Sequence, residues 1–266
     1  MSALDVHLRA VGAIGPGFAD WPALREFLAH PAARASGETT VVPALSVLPP
    51  AERRRVGAVV KLAIATGLQT CAAAGADPAT LATVFASSGG DGNNCHIICE
   101  TLASDDRLIS PTRFHNSVNN AASGYWGIAT GAQAASTIVS AYDGSFAAGL
   151  LEAAVQVRDT GAPVLLIAYD LPYPAPLAAA RPITDALGLG LLLGAQAQPG
   201  DLARLSLTLT DERPDRLADP GLEALRTGIP CARALPLLAA LADEGGACVL
   251  EHLDGTHLAV RTEILA

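Results

Sequence analysis

Four residues, Ser136-Thr137-Ile138-Val139, constrain this chain more than any others. Three are β-branched, which stiffens the side chain, suits a pleated surface and resists a helix. The run therefore reads as a short buried strand. It breaks at Asp143-Gly144, and a helix begins at once, with Ser145 as its expected N-cap and Phe146 to Val155 as its body. Strand, sharp turn and helix together lift one residue to the mouth of a site, where the helix N-terminus points partial positive charge. Upstream, Ser110-Pro111 is a turn signal and residues 117–130 read as a small-residue helix. Downstream, Val164-Leu-Leu-Ile-Ala168 is a second hydrophobic strand.

The remaining patterns alternate strands with helices, so the fold class is α/β. Residues 4–14 read as a first strand and 21–30 as a helix closed by Pro31, followed by a proline-punctuated loop over 34–50. A long helix is expected from Pro50 to about Ala74, with Arg53, Arg54 and Arg55 at its start, where the helix dipole disfavours them. Residues 81–86 read as a strand and 93–102 as a helix, joined by the glycine-rich turn 87–92. That turn has neither GxGxxG spacing nor a Walker lysine, so phosphate binding is not its expected role. Residues 186–196 and 203–210 alternate as strands and predict a hairpin around 198–201. Helical segments follow at 222–226 and 234–242, and a last hairpin turns at Asp254-Gly255.

With 266 residues, half of them hydrophobic, the chain can bury one sizeable core. Only 16% of its residues are charged, which leaves more apolar surface to cover and hints at a large interface. The net charge of −9, without a basic cluster, argues against nucleic acid and against a direct grip on an acidic carrier protein. Cys71, Cys95, Cys99, Cys231 and Cys248 form no compact framework, so reduced, buried thiols in a cytoplasmic protein are expected. The N-terminus lacks a signal-peptide pattern, and the longest uncharged apolar run, 186–197, is too short to span a membrane. Cys95, His96 and Cys99 suggest a metal, but a helix turns His96 about 100° from Cys95, and no second ligand cluster exists. No metal or cofactor is expected.

Ile109-Ser110-Pro111, Asn120, Gly124, Ile128, Gly131, the strand 136–139, the helix 146–154 and the strand 164–168 recur in a fixed order. In this order the chain resembles the ketosynthase branch of the thiolase superfamily around its active-site elbow. The resemblance implies a thiolase-like fold of α-β-α layers across a single domain, residues 1–266. Its N-terminal half is largely complete, its C-terminal half is truncated, and 211–266 is a degenerate remnant. Active ketosynthases seat a nucleophilic cysteine at the elbow. Here the ungapped register places Asp143 there, and a one-residue slip places Tyr142. A carboxylate attacking a thioester gives an anhydride, and a phenol has no evident base beside it. The two histidines and the lysine of the second half are missing too: Lys61 is the sole lysine, and beyond Asp170 only His252 and His257 remain.

The chain therefore resembles the chain-length factors, silent homologues paired with an active ketosynthase, in the abbreviated form found with aryl-polyene ketosynthases. The resemblance implies an active ketosynthase as partner, an acyl carrier protein reached through the complex, and a shared tunnel for a growing polyketide or polyene chain. Phe114, His115, Asn116, Asn119, Asn120, Ala122, Ser123 and Trp126 are its expected tunnel and interface residues, and Ile138 lies on the edge strand that pairs with the partner. An acyl hydrolase or acyltransferase using Ser87, Ser88 or Ser145 is the alternative, although no GxSxG occurs. A free-standing acyl-binding scaffold is the third.

Overall fold

The structure is a computed structural model that describes residues 3–30 and 37–265. Pro31 and residues 34–36, which carry part of the expected helix end and loop, lie outside them. The strands are β1 (Leu4–Ile14), β2 (Ala82–Ala86), β3 (Ser136–Val139), β4 (Val164–Asp170), β5 (Leu187–Gly194), β6 (Ala203–Thr210), β7 (Gly246–Leu253) and β8 (Thr256–Ile264). The helices are α1 (Trp21–Ala29), α2 (Pro50–Arg55), α3 (Ala58–Ala74), α4 (Gly92–Ala103), α5 (Pro111–His115), α6 (Ala121–Thr130), α7 (Ser145–Thr160), α8 (Leu177–Ala180), α9 (Pro220–Gly228) and α10 (Leu235–Ala242).

All eight strands form one mixed sheet in the order β3-β2-β4-β5-β1-β6-β8-β7. β2 pairs in parallel with β3 and β4, and every other pairing is antiparallel. Helices cover both faces. α3 and α6 pack on one side around Phe85, Trp126 and Ile167. α7 lies on the other, touching β1, β2, β4 and β5 and also β7 from the far end of the sheet, which therefore curls around it. The α-β-α layering is as expected.

The Leu/Gly alternation at 187–194 has a packing cause. Leu187, Leu189, Leu191 and Leu193 enter the core on the α7 side. Gly188 and Gly190 face α3, where a Cβ on either would collide with Thr66 or Thr70. The expected hairpin of β5 with β6 is not formed. The two strands flank β1 on opposite sides, Gly190 lying opposite Gly12 and Leu205 opposite Val6. β1 is apolar enough to sit centrally, and Leu202 N–H bonds the Leu8 carbonyl at 2.8 Å as the chain crosses over.

Of two expected helices, one is split and one is shortened. The one expected from Pro50 breaks at Val56-Gly57, because Val56 is extended and Gly57 passes too close to the Asp91 carboxylate for a side chain. The three arginines thus stand in the last turn of α2, where the helix dipole favours them, not at the start of a long helix. The helix expected over 117–130 begins only at Ala121. The preceding asparagines leave it because Asn116 turns inward and donates to the Arg55 carbonyl at 2.8 Å.

The two sheet edges are treated differently. At β7, Asp215 donates its N–H to the Val249 carbonyl at 2.9 Å, and its carboxylate accepts the Val249 N–H at 3.0 Å. One residue of the 211–219 loop thus occupies both backbone pairing groups of Val249, in the middle of that edge. The strand β6 also alternates buried Ala203, Leu205 and Leu207 with Arg204, Ser206 and Thr208, so the sheet's outer face is polar. The β3 strand is uncharged, and no plug covers its edge among the described residues. Replacing Asp215 by Ala should cost about 1–2 kcal/mol in urea unfolding and raise self-association by light scattering. Unchanged stability and scattering would show that the edge needs no plug.

Candidate functional site

The elbow between β3 and α7 is a single tight turn, Tyr142 to Gly144. Tyr142 has φ 53°, the one left-handed non-glycine residue among those described. Such a backbone costs on the order of 1 kcal/mol and persists only where surroundings enforce it. Three contacts do so. The Ser145 hydroxyl donates to the Tyr142 carbonyl at 2.7 Å and accepts the Ala141 N–H at 2.9 Å. Ser145 thus staples the turn and is the first helical residue, not the N-cap; Gly144 holds that place. The Arg181 guanidinium lies 3.5 Å from the centre of the Tyr142 ring. Gly144 rests on the His252 backbone so closely that any Cβ would collide with its carbonyl.

Asp143 is held from two sides. Its carboxylate accepts from Arg181 at 2.7 Å and Arg233 at 3.1 Å. Arg233 reaches Glu251 at 3.1 Å, Arg226 stands 3.8 Å from Glu251, and Arg226 binds Glu223 at 2.7 Å. The Arg226 hydrogen bond pulls the Glu223 carboxyl down to about 2. Three acids and three arginines therefore alternate from the elbow into β7 and α9, and their charges balance. His252 lies against Gly144, and burial lowers its pKa.

Behind the elbow, Asp170 ends β4 fully enclosed. Burial raises its pKa to about 6, against hydrogen bonds from the Ser88 hydroxyl at 2.6 Å and the Ser88 N–H at 2.9 Å. Cys231 packs nearby, and burial, then the Asp170 charge, pushes its thiol well above its ordinary value. A thiol so enclosed is neither ionised nor reachable. Burial likewise raises Cys71 to about 11 and Cys248 to about 12. Cys95 and Cys99 are exposed on α4, and His96 pairs with Glu100 at 3.2 Å. Among the described residues no group of three or more metal-binding side chains assembles.

The nine expected tunnel and interface residues divide. Phe114 is 69% exposed and borders an apolar hollow of about 490 Å³ with His115, Val118, Asn120 and Ile128. Asn119 donates to Ser140 at 2.9 Å, which ties this face to the end of β3. Ile138 is half-buried on β3. Ser123 is half-buried and donates to the Asn120 carbonyl at 2.9 Å. Ala122 and Trp126 are 2% exposed and face the chain's own core, because α6 lays that side on α3. Asn116 is also inward, accepting from the Tyr125 hydroxyl at 3.1 Å. Sequence reasoning missed Arg181, Arg226, Arg233, Glu251 and the position of His252. One signal was present: Arg233 is an isolated charge in an otherwise apolar run, and such a charge needs a partner.

Residues 26–247 match the model of the beta-ketoacyl synthase N-terminal domain. The chain belongs to that family. No curated protein matches it. Its fold is similar to a chain of the ketosynthase ApeO in complex with its chain length factor ApeC from Xenorhabdus doucetiae. That likeness has TM-score 0.74 and 22% identity over 98% of this chain and 99% of the other. It is similar also to a chain of AntDE:AntF, a type II PKS acyl-carrier protein with its ketosynthase, at TM-score 0.76 and 13% identity over the whole of both. Against the oxazolomycin ketosynthase domain OzmH KS8 from Streptomyces albus the TM-score is 0.55 at 17% identity, over 90% of this chain and 60% of that one. The thiolase-like fold expected from the sequence is therefore present. The turn between β3 and α7 carries Tyr142 and Asp143 and no cysteine.

Two outcomes follow for the elbow. Asp143→Ala strands Arg181 and Arg233, and should cost about 2 kcal/mol in chemical denaturation. A neutral result would mean that the network does not hold the turn. Asp170 has a folded pKa raised from 3.8 to about 6, so its contribution is present at low pH and is lost as pH rises from about 4 to 6. Melting curves across that range should fall more for the native chain than for Asp170→Asn; parallel curves would contradict the burial argument.

Proposed function

We propose that this chain is a non-catalytic, chain-length-factor-like subunit. It pairs with an active beta-ketoacyl synthase and walls the tunnel in which a polyketide or aryl-polyene chain grows in the cytoplasm. The observation that carries this reading is the cysteine-free elbow, whose Asp143 is clamped by Arg181 and Arg233; in the register proposed here Asp143, or Tyr142 after a one-residue slip, stands where the family seats its thiolate. A carboxylate so paired is a poor nucleophile.

The two sheet edges support the pairing. One is plugged by Asp215, whereas β3 remains an uncharged, open strand beside the exposed Phe114, Val118 and Ile128. A partner strand on β3 would satisfy its free backbone groups and cover that face together. Phe114, His115, Asn120 and Ser123 are then the side chains available to a tunnel, while Ala122 and Trp126 set the position of their helix. The chain's charge of −9 leaves an acidic acyl carrier protein to be bound through the ketosynthase.

The reading as an acyl hydrolase or acyltransferase is weaker. Ser145 staples the elbow, and Ser87 and Ser88 face Asp170; none of their hydrogen bonds is to a histidine. Co-expression with a ketosynthase tests the proposal. Ile138→Pro or Ile138→Lys should abolish co-purification, while Glu152→Gln leaves it intact. Phe114→Trp should leave assembly unchanged and shorten the product by mass spectrometry. A complex that tolerates both Ile138 variants, or a product indifferent to Phe114, would overturn it.

A further inference from the structure

The three arginines at residues 53–55 take no part in the elbow or the edge. Arg54 and Arg55 instead line a groove of about 390 Å³ together with Arg113 from α5 and Asp91 and Asn93 at the start of α4. The groove is built rather than incidental. Asn116, 6% exposed, donates to the Arg55 carbonyl at 2.8 Å, and Asn94, equally buried, donates to the Arg113 carbonyl at 2.8 Å. Two buried amides from different segments thus fix the backbones of both arginine-bearing elements. Arg55 is paired with Glu52 at 2.8 Å. Arg54 and Arg113 have no carboxylate partner among the described residues. Asp91 is the one acid in the lining, and it is engaged by the Asn94 N–H at 2.9 Å as the cap of α4.

In a chain of net charge −9, this grouping is the exception. Guanidinium forks recognise phosphate oxygens in a bidentate manner, and the N-terminus of the twelve-residue helix α4 adds partial positive charge. The groove also adjoins a second hollow of about 330 Å³. The two share Gly57, Asp91 and Asn93, and the second is walled by Val59, Leu171, Pro172 and Tyr173. Gly57 stands where the two hollows meet, and a side chain there would meet the Asp91 carboxylate.

We propose that Arg54, Arg55 and Arg113 form a binding site for a phosphate ester, whose organic group extends into the hollow beside Tyr173. The site belongs to this chain alone and needs no partner subunit, so its test is independent of the pairing proposed above. The probes are phenyl phosphate, inorganic phosphate and phenol, titrated by calorimetry at low ionic strength. Phenyl phosphate should bind at one site and more tightly than either fragment. Arg113→Gln and Arg54→Gln should each weaken it about tenfold, and the exposed Arg25→Gln should not. Far-UV circular dichroism and melting establish that each variant is folded. A methyl group placed at the junction of the two hollows by Gly57→Ala should cost phenyl phosphate more than inorganic phosphate. Absence of phenyl phosphate binding, or binding that survives both arginine substitutions in folded variants, overturns the proposal.

Discussion

Burial of one helix on two fronts is the constraint on which the rest of the molecule depends. α7 presents Phe146, Ala147, Leu150, Ala153, Ala154 and Val157 to the core, each at most 1% exposed. Each large side chain among them contributes roughly 1.5–3 kcal/mol. The small ones allow approach: a Cβ on Gly149 would stand 2.7 Å from the Ala86 side chain and 2.9 Å from Leu166. The sheet can therefore lie close along β2 and β4 and still bend until β7 reaches the same helix. Because the elbow is the entrance to α7, its geometry is fixed by packing on both sides, and the strain at Tyr142 can be retained there.

That same geometry brings remote charges to the elbow. Arg181 and Arg233 lie 38 and 90 residues from Asp143 in sequence, and they meet it because the loop after β4 and the segment before α10 both end at the C-terminal side of the sheet. A partly buried carboxylate must be paired, and once paired it loses the lone-pair freedom that attack requires. The network thus accounts in one step for the stability of the turn and for its proposed chemical silence. It also ties the N-terminal strands to β7 and α9, so the C-terminal segment supports the elbow rather than standing apart from it.

Much of this was legible in the sequence. β1, β2, β3, β4, α7 and the closing hairpin follow from period-2 runs, β-branched clusters and turn residues, which are local signals. The β5–β6 pairing was misread because alternation identifies a strand but not its neighbour, and an apolar β1 competed successfully for both. The break at Gly57 and the inward turn of Asn116 depended on Asp91 and Arg55, contacts that periodicity does not encode. At the elbow, the missing thiolate was plain from residue type alone, whereas the arginine clamp required the fold.

The central claim is that the elbow does not condense acyl chains and acts only through a partner. Carbon dioxide release and chain extension from an acyl–carrier protein and malonyl–carrier protein measure it most directly, with the purified chain, with a matched ketosynthase, and with both. The account predicts no turnover by the chain alone and extension of defined length only when both are present. Turnover by the chain alone, lost on substitution of Asp143 or Tyr142, would contradict it.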